Sequence, residues 1–315
     1  MPLEIPSAAH DTTHHPPARG GAGPLPSRGR VAHVGNGAGV VHVISLGAGV
    51  QSSTMALMAA HGEIGPMPKC AIFADTKAEP QSVYRWLDWL EKRLPFPVRR
   101  VIQGAGLVDD TLRLRRRKDN TGYWSPSGVP HYNRNNDGTT GHGPRQCTKN
   151  FKIAPIARET RRIMKESGAQ HIVRWIGISL DEVHRMKPSR DKYSTHIWPL
   201  IDKRMTRHDC KLWMDRHGYP PAPRSACVFC PYHSDSEWRR LKIEEPEEFE
   251  LAVKFERDYQ QTRSQQTRSQ QTRLRVVVPF LHKSCVPLSQ VDFSTDEDHG
   301  QQVMFGNECE GMCGV

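Results

Sequence analysis

Short runs of β-branched and apolar residues alternate with stretches of helical periodicity between residues 40 and 178. Four apolar runs predict strands, at Val40–Ser45, Cys70–Ala74, Val98–Ile102 and His171–Ile178. Between them, apolar residues recur at helical spacing in three stretches, 52–61, 80–94 and 151–167. Strands that alternate with helices predict an α/β fold with a parallel sheet and a ligand crevice at the carboxyl ends of the strands.

Two segments lack this periodicity. Residues 1–40 are rich in Pro, Gly, Ala and His, so we expect a disordered tail. Residues 260–273 repeat the pentapeptide Gln-Gln-Thr-Arg-Ser almost three times, which predicts a solvated insert or a frayed helix extension. We therefore expect a main domain over 41–245 and a helical, cysteine-rich extension over 246–315.

Composition and charge narrow the class of protein. The formal net charge is +10, which favours an anionic partner such as a nucleotide or a nucleic acid. A basic run over 113–118 precedes a polar loop with aromatic residues, a combination that binds phosphates and bases or forms an ordinary solvated face. The chain has neither a long apolar run nor a signal-like start, so we expect a cytoplasmic protein without a membrane partner.

A glycine-rich loop follows the first predicted strand. It reads Gly47-Ala48-Gly49-Val50-Gln51-Ser52 and leads directly into a helical stretch. Glycines let the backbone turn tightly, and the free N–H groups of a helix start bind anions. A phosphate is the expected occupant, although the loop lacks the Gly-Lys-Ser/Thr ending of a Walker loop.

The loop and four later motifs together resemble one superfamily. The loop is similar to the Ser-Gly-Gly-x-Asp-Ser pattern of the PP-loop ATP pyrophosphatases and phosphoadenosine phosphosulfate (PAPS) reductases, of which only the second Gly and the last Ser match. The other similar segments occur in the same order as in that superfamily: Asp75–Pro80, Arg145–Ile156, Gly177–Arg185 with Trp198–Ile201 after it, and Cys227–Pro231. The resemblance covers about residues 42–240 and implies a PP-loop, adenine nucleotide alpha hydrolase-like fold.

The resemblance also implies a nucleotide site for ATP or PAPS, with Mg²⁺ as a companion of the nucleotide. Its expected residues lie in the glycine loop and at the ends of two later strands: Ser45, Gly47, Gly49, Gln51, Ser52, Ser53, Asp75, Thr76 and Gly177.

Eight cysteines without a secretory signal favour thiolate chemistry or metal ligation over a disulfide scaffold. Cys227 and Cys230 form a Cys-x-x-Cys pair beside a predicted turn, a spacing that holds zinc or iron between two thiolates. Cys70, Cys210 and Cys285 are expected to be structural. His233 could add a ligand, but we expect a solvated loop histidine.

The adenylyl-sulfate branch of the superfamily binds a four-iron four-sulfur cluster through cysteines at two of the matching places. This implies a 4Fe-4S cluster, with zinc as the alternative, on Cys147, Cys227, Cys230 and Cys309. The tail around Cys309 and Cys313 also resembles the Glu-Cys-Gly segment that carries the reductases' nucleophile, which makes both cysteines candidate catalytic residues. Three glycines near these thiols would let the tail swing over a bound nucleotide.

Two mechanisms fit the resemblance. In the first, ATP adenylates an acceptor in DNA, transfer RNA or a small molecule, and sulfur from a persulfide then displaces the adenylate. In the second, a cysteine attacks the sulfate sulfur of PAPS and a thiol partner releases sulfite. A thiol or sulfur-donor protein is an expected partner of either, and the first mechanism is favoured by the extra Cys-x-x-Cys pair.

Two other classes remain open from the sequence. A nicotinamide oxidoreductase would use Asp75 for the ribose but leaves the cysteines without a role. A non-catalytic zinc module that binds nucleic acid would use the basic run and the Cys-x-x-Cys pair but leaves the glycine loop without a role.

Overall fold

The computed structural model describes residues 39–116, 118, 123–124, 128–134, 138–269 and 278–294. The strands in chain order are Val40–Leu46 (β1), Cys70–Asp75 (β2), Val98–Ile102 (β3), Arg115–Arg116 (β4), Tyr123–Trp124 (β5), Tyr132–Arg134 (β6), Thr140–His142 (β7), His171–Ile176 (β8) and Ser194–Ile197 (β9). The α-helices are Val50–Ala60 (α1), Gln81–Glu91 (α2), Leu107–Leu112 (α3), Ala154–Ser167 (α4), Pro199–Asp202 (α5), Arg207–Arg216 (α6), Asp235–Glu244 (α7) and Pro246–Ser269 (α8). A π-helix, Thr148–Ile153, leads into α4, and 3₁₀ turns lie at Leu180–Arg185 and Leu288–Gln290.

The central sheet has five parallel strands in the order β3-β2-β1-β8-β9. The chain builds outward from β1 to β3 and then crosses to the other side of β1, so the strand order reverses between β1 and β8. Ser45 pairs with Ile176 at that point, which aligns the carboxyl ends of the two strands. In open parallel sheets this reversal opens a crevice that binds ligands. The predicted α/β fold with a parallel sheet is confirmed.

Alternation along the strands separates two packed layers. On one face, β1 residues such as Ile44 and Leu46 join α1, α2 and α6 in the largest apolar cluster. On the other face, Val43 packs with Ile163 of α4. Of the four predicted strands, β1, β2 and β8 are mostly buried and apolar, whereas β3 is partly exposed. β9 was not predicted because Ser194-Thr-His-Ile is short and mostly polar.

A third apolar cluster lies beyond the sheet edge. It joins Phe229 and Trp238 to α8 and to residues of the 278–294 segment such as Phe293. The domain boundary predicted after residue 245 falls between α7 and α8, which pack against each other. The first part of the pentapeptide repeat continues α8 as helix through Ser269, and the rest lies outside the described residues, as does the predicted tail before residue 39.

One buried carboxylate ties the 278–294 segment to α8. Glu256 is 4% exposed, and its two oxygens accept the backbone N–H groups of Leu281 at 2.8 Å and Leu288 at 2.7 Å. Burial raises the pKa of this carboxyl group, and the two N–H donors oppose that rise. The segment therefore depends on an acceptor that its own backbone does not supply.

Replacing Glu256 by Ala should destabilise the protein, because two buried N–H groups lose their acceptor at about 1–3 kcal/mol each. Glu256→Gln, which keeps one carbonyl oxygen, should lie between this variant and the wild type. The matched control is Glu250→Ala on the exposed side of the same helix, which should stay within about 0.5 kcal/mol. Urea unfolding of the three variants measures the difference, and equal stability of Glu256→Ala and the control would contradict it.

Candidate functional site

The glycine loop joins the end of β1 to the start of α1. The Gly47 N–H donates to the Ser52 hydroxyl at 3.1 Å, and Ala48 takes a left-handed conformation with φ of 58°. Gly49 is the N-cap of α1 and supplies no side-chain cap. Since the first N–H groups of a helix have no intrahelical acceptor, this uncapped end of an 11-residue helix suits an anion.

The loop forms one wall of a cleft at the carboxyl ends of β1 and β8. The cleft is open to solvent on one side and is lined by residues of the glycine loop, of β8 and of the segments that follow them. Basic side chains line it from several elements: Lys152, Arg174, Arg185 and Arg207. Three of them pair with carboxylates: Lys152 with Glu79 at 3.2 Å, Arg174 with Asp191 at 3.0 Å and Arg185 with Glu182 at 2.5 Å.

His196 in β9 adds a neutral polar group to the cleft. Its Nδ1–H donates to the Lys187 carbonyl at 3.0 Å, and burial lowers its pKa. Nε2 is therefore left as a buried lone pair without a hydrogen-bond donor among the described residues. The motif analysis missed this residue because β9 carries no strand pattern.

Six of the nine expected nucleotide-site residues come together in the cleft lining. They are Ser45, Gly47, Gly49, Gln51, Ser52 and Gly177. Gln51 is held in place by its side-chain amide, which donates to Glu182 Oε2 at 3.3 Å and to Ser179 Oγ at 3.4 Å.

The other three expected residues lie elsewhere. Ser53 is fully buried, and its hydroxyl accepts the indole N–H of Trp86 at 3.0 Å. Asp75 accepts the Lys77 N–H and the Tyr84 hydroxyl, both at 2.7 Å. Thr76 is 1% exposed and lines the cysteine pocket described below instead of the cleft.

Gly177 is the glycine that the cleft requires for steric reasons. A Cβ there would lie 2.8 Å from Ser52 Cα and 3.0 Å from Ser52 N, both backbone atoms of the first turn of α1. By contrast, a Cβ on Gly49 would meet Ser225 at 3.7 Å, an ordinary contact. The end of β8 and the anion-binding turn are therefore packed backbone to backbone.

Cys147, Cys227 and Cys230 line one smaller pocket beside the cleft. Cys147 is the N-cap of the π-helix, and the other two lie in the loop before α7. Thr76 Oγ1 lies 3.4 Å from Cys227 Sγ, and Lys152 lines both the pocket and the cleft. Single-turn π segments are frequent at functional sites, and this one places Cys147 in the pocket and Lys152 on the wall that the pocket shares with the cleft.

Glu79 lies between the pocket and the cleft, and the motif analysis did not select it although it belongs to the Asp75–Pro80 segment. Its carboxylate is 3% exposed and lies 3.2 Å from Lys152 Nζ. It also accepts the Ser225 hydroxyl at 3.2 Å and faces Cys227 Sγ at 4.0 Å. Burial, with the charge of Glu79, raises the pKa of Cys227 to about 12. Even with the Lys152 ammonium group nearby, this sulfur stays a thiol at neutral pH.

The three thiols do not converge on one point. Among the described residues, the group of three potential ligands whose donor atoms all lie within 4.8 Å of one another is elsewhere, at His61, Glu63 and His217. The sulfurs of Cys147, Cys227 and Cys230 are therefore spread more widely around their pocket. Cys309 and Cys313, the expected fourth ligand and nucleophile, lie outside the described residues.

The remaining cysteines are structural, as expected. Cys70, Cys210 and Cys285 are buried in the protein. Burial raises the pKa of Cys70 to about 11 and that of Cys210 to about 12, so neither is a ready nucleophile.

His233 is not the solvated loop histidine that the sequence suggested. It is 7% exposed, packs edge-on against Trp238 and donates its Nε2–H to the Cys227 carbonyl at 3.0 Å. Burial lowers its pKa to about 3. The neutral ring thus holds the Cys-x-x-Cys loop in shape, and the prediction failed because the contact with Trp238 has no local sequence signal.

The basic run is only partly described. Arg115 and Arg116 are exposed in β4, which pairs with β5. His131 in the following loop is 4% exposed and bonded to the Val129 carbonyl at 3.0 Å, so it belongs to the interior.

No helix among the described residues is both long and apolar enough to cross a bilayer.

Comparison with known proteins gives structural neighbours only. No family model matches the chain, and no curated protein does. Similar solved structures include a PAPS reductase from Candida auris in a phosphate complex, at 12% identity and a TM-score of 0.35 over 58% of this chain and 75% of that one. They also include the U34-tRNA thiolase NcsA from Methanococcus maripaludis with its [4Fe-4S] cluster, at 14% identity and a TM-score of 0.32 over 70% and 72%. At these sequence identities and TM-scores, the superfamily resemblance depends on the motifs in this chain alone.

Gly177→Ala should weaken adenine-nucleotide binding, because the new methyl group must displace the first turn of α1. We expect at least a tenfold loss of ATP affinity by calorimetry, about 1.4 kcal/mol. Gly65→Ala is the control, since a Cβ there meets nothing within 4 Å. Unchanged ATP affinity in a folded Gly177→Ala protein would remove the nucleotide from this cleft.

His233 should make the protein less stable in acid. The unfolded chain binds a proton at this residue below pH 6.5 while the folded protein resists it down to about pH 3, so stability falls as the pH drops through that window. Between pH 8 and pH 5 the residue should cost about 2 kcal/mol. His233→Gln keeps an N–H donor and should flatten the stability profile by that amount, whereas exposed His208→Gln should not. Parallel profiles for wild type and His233→Gln would contradict the assignment.

Proposed function

We propose that this protein is a PP-loop enzyme of sulfur chemistry that binds ATP in the cleft and activates an acceptor oxygen for replacement by sulfur. The observation that carries the proposal is the shared wall at Lys152, which joins the cleft at the start of α1, lined by basic side chains, to a pocket lined by three cysteines. A nicotinamide enzyme has no use for such a pocket. A zinc module has no use for the cleft.

The residues of the cleft suit the first half of such a reaction. The uncapped start of α1 binds the phosphates, and Lys152 with the arginines of the lining stabilises negative charge that develops on the pyrophosphate. The acceptor oxygen attacks the α-phosphorus, the bond to the bridging oxygen breaks and pyrophosphate leaves. A sulfide sulfur then attacks the acceptor carbon and AMP departs with the oxygen. If a persulfide sulfur attacks instead, a second thiol must cleave the resulting disulfide, which leaves the sulfur on the acceptor and forms a disulfide between that thiol and the donor cysteine.

The cysteine pocket suits a cluster better than a single zinc ion. Tetrahedral zinc at about 2.3 Å from sulfur needs sulfurs about 3.8 Å apart, closer than these three thiols converge. In a 4Fe-4S cluster each thiolate binds a different iron, which matches a wider arrangement. Cys147, Cys227 and Cys230 would hold the cluster, with Cys309 as the proposed fourth ligand.

A bound cluster would supply the cationic iron that turns buried thiols into thiolates and a site where sulfur can bind. The protein's own contribution is positional. His233 holds the Cys227 carbonyl, Thr76 contacts the Cys227 sulfur, and the Glu79 carboxylate keeps the Lys152 ammonium group between nucleotide and cysteines.

The alternative is a thiol-dependent reductase of PAPS or adenylyl sulfate. The basic residues of the cleft favour a ligand with more than one phosphate group. PAPS is such a ligand, as ATP is. The two functions differ in the ligand that binds and in the product released. Sulfur transfer requires an acceptor, which would be DNA, transfer RNA or a small molecule. The reductase requires no acceptor.

Cys227→Ser should lose its iron while keeping ATP affinity within about threefold, because the serine removes one ligand and leaves the cleft lining unchanged. The measurement is iron and sulfide content with the visible spectrum of anaerobically purified protein, followed by calorimetry with ATP. Cys70→Ala is the control and should keep its iron, since Cys70 is buried in the sheet.

The possible results distinguish the proposed function from its alternatives. Tight binding of PAPS with no affinity for ATP would replace the proposal by the reductase. A colourless wild-type protein with one zinc ion, or full iron content in Cys227→Ser, would overturn the cluster. A protein that binds neither nucleotide would overturn the function.

A further inference from the structure

Helices α1 and α6 lie side by side and end in the same way. Each ends in a His-Gly pair, His61-Gly62 and His217-Gly218, in which the glycine is left-handed with φ of 74° and 67°. Glu63 N–H returns to Met58 O at 2.9 Å and Tyr219 N–H returns to Met214 O at 3.0 Å. These are the bonds of a Schellman motif, which fixes the residues on either side of the glycine.

Because the two helices pack together, their matched ends bring three potential ligands to one place. His61, Glu63 and His217 each offer one donor atom, and all three atoms lie within 4.8 Å of one another. His217 Nε2 lies 3.6 Å from Glu63 Oε1, and the two imidazole centroids are 5.0 Å apart. Two histidines and a glutamate are a common donor set for zinc.

Trp213 orients two of the three ligands from behind. Its backbone carbonyl accepts the Nδ1–H of His217 at 2.7 Å, which leaves the Nε2 lone pair of that ring directed at Glu63. Its indole N–H donates to both carboxylate oxygens of Glu63, at 3.0 and 3.2 Å. Trp213 is 5% exposed, so the core holds in place the carbonyl and the indole N–H that these two ligands contact. Metal-binding histidines usually have such a carbonyl partner on the other ring nitrogen.

The third ligand is held by a tyrosine. His61 Nε2 lies 2.7 Å from the Tyr219 hydroxyl, and the His61 ring meets Trp213 edge-on at 5.6 Å. The carboxyl ends of both helices carry partial negative charge, which adds to the carboxylate of Glu63 and favours a cation. All three ligand residues are exposed, so small rotations can close the donors to the roughly 3.3 Å spacing of tetrahedral zinc.

We propose that His61, Glu63 and His217 bind a divalent transition-metal cation, for which zinc is the probe, with water in the remaining position. The site lies at the opposite end of α1 from the glycine loop, about 16 Å away by the rise of an 11-residue helix. It is separate from the cysteine pocket and does not depend on the proposed function. The bound ion joins the ends of α1 and α6 and stabilises the folded state by mass action.

The test is equilibrium dialysis of the full chain against zinc chloride, with zinc measured by elemental analysis, and thermal unfolding at the same zinc concentrations. The double variant His61→Ala, His217→Ala should bind one zinc fewer than the wild type. It should also lose the zinc-dependent rise in Tm that this site gives. Both residues are exposed, so the variant should fold, which circular dichroism checks.

Three further variants separate a metal site from simple packing. Exposed His208→Ala on α6 should bind as much zinc as the wild type. Glu63→Gln keeps an acceptor for the Trp213 indole but removes the charge, and should weaken zinc binding. In a Cys227→Ser background the same difference of one zinc should persist.

Equal zinc content and equal zinc-dependent Tm in the wild type and the double variant would overturn the proposal. A double variant that is less stable without zinc, and equally stabilised by it, would show that the histidines serve only to pack against Trp213 and Tyr219.

Discussion

The ion pair between Glu79 and Lys152 lies where the cleft meets the cysteine pocket. The carboxylate is 3% exposed, and removing such a charge from water is costly unless a cation and hydrogen bonds compensate it. Lys152 at 3.2 Å and the Ser225 hydroxyl at 3.2 Å provide that compensation. Because the three residues come from different parts of the chain, their pairing brings the end of β2, the π-helix and the cysteine loop together.

The same ion pair sets the electrostatics of both cavities. On the pocket side, Glu79 opposes ionisation of Cys227, so the thiol needs a cation before it can act as a thiolate. On the cleft side, Lys152 adds to the positive lining near the start of α1. Loss of Glu79 would leave Lys152 without this partner, and loss of Lys152 would leave a buried negative charge beside Cys227. The two cavities therefore share one ion pair.

Much of the fold could be predicted from local pattern, because β1, β2 and β8 consist of mostly apolar, mostly buried residues. β3 is partly exposed and contains two arginines, but it keeps β-branched residues at both ends. The capping box that starts α6, in which Thr206 accepts the Asp209 N–H, likewise depends on two residues only three positions apart. β9 was not, since four mostly polar residues become a strand only through pairing with β8.

The sequence predicted the site residues that belong to local motifs. It did not predict roles that depend on contacts made only in the folded protein. The glycine loop and the cysteines were found because their spacing is local. The role of Glu79 depends on Lys152, which is distant in sequence. Gly177 was selected by its motif, but the steric reason for a glycine there is its contact with Ser52, also distant in sequence. His233 was assigned to solvent although Trp238, which buries it, lies only five residues further along the chain. Ser53 is the opposite case. It lies in the expected motif, but its hydroxyl faces the core and accepts the indole N–H of Trp86. The donor set of His61, Glu63 and His217 likewise required the packing of α1 on α6.

The central claim is that nucleotide and cysteines belong to one reaction centre. The most direct test is phosphorus-31 electron-nuclear double resonance on the anaerobic protein with its cluster reduced and a non-hydrolysable ATP analogue bound. We predict a resolved dipolar coupling between the cluster and the nucleotide phosphates that disappears in Lys152→Met or is strongly reduced. A bound nucleotide with no coupling to the cluster, or a protein that assembles no cluster on these cysteines, would contradict the account.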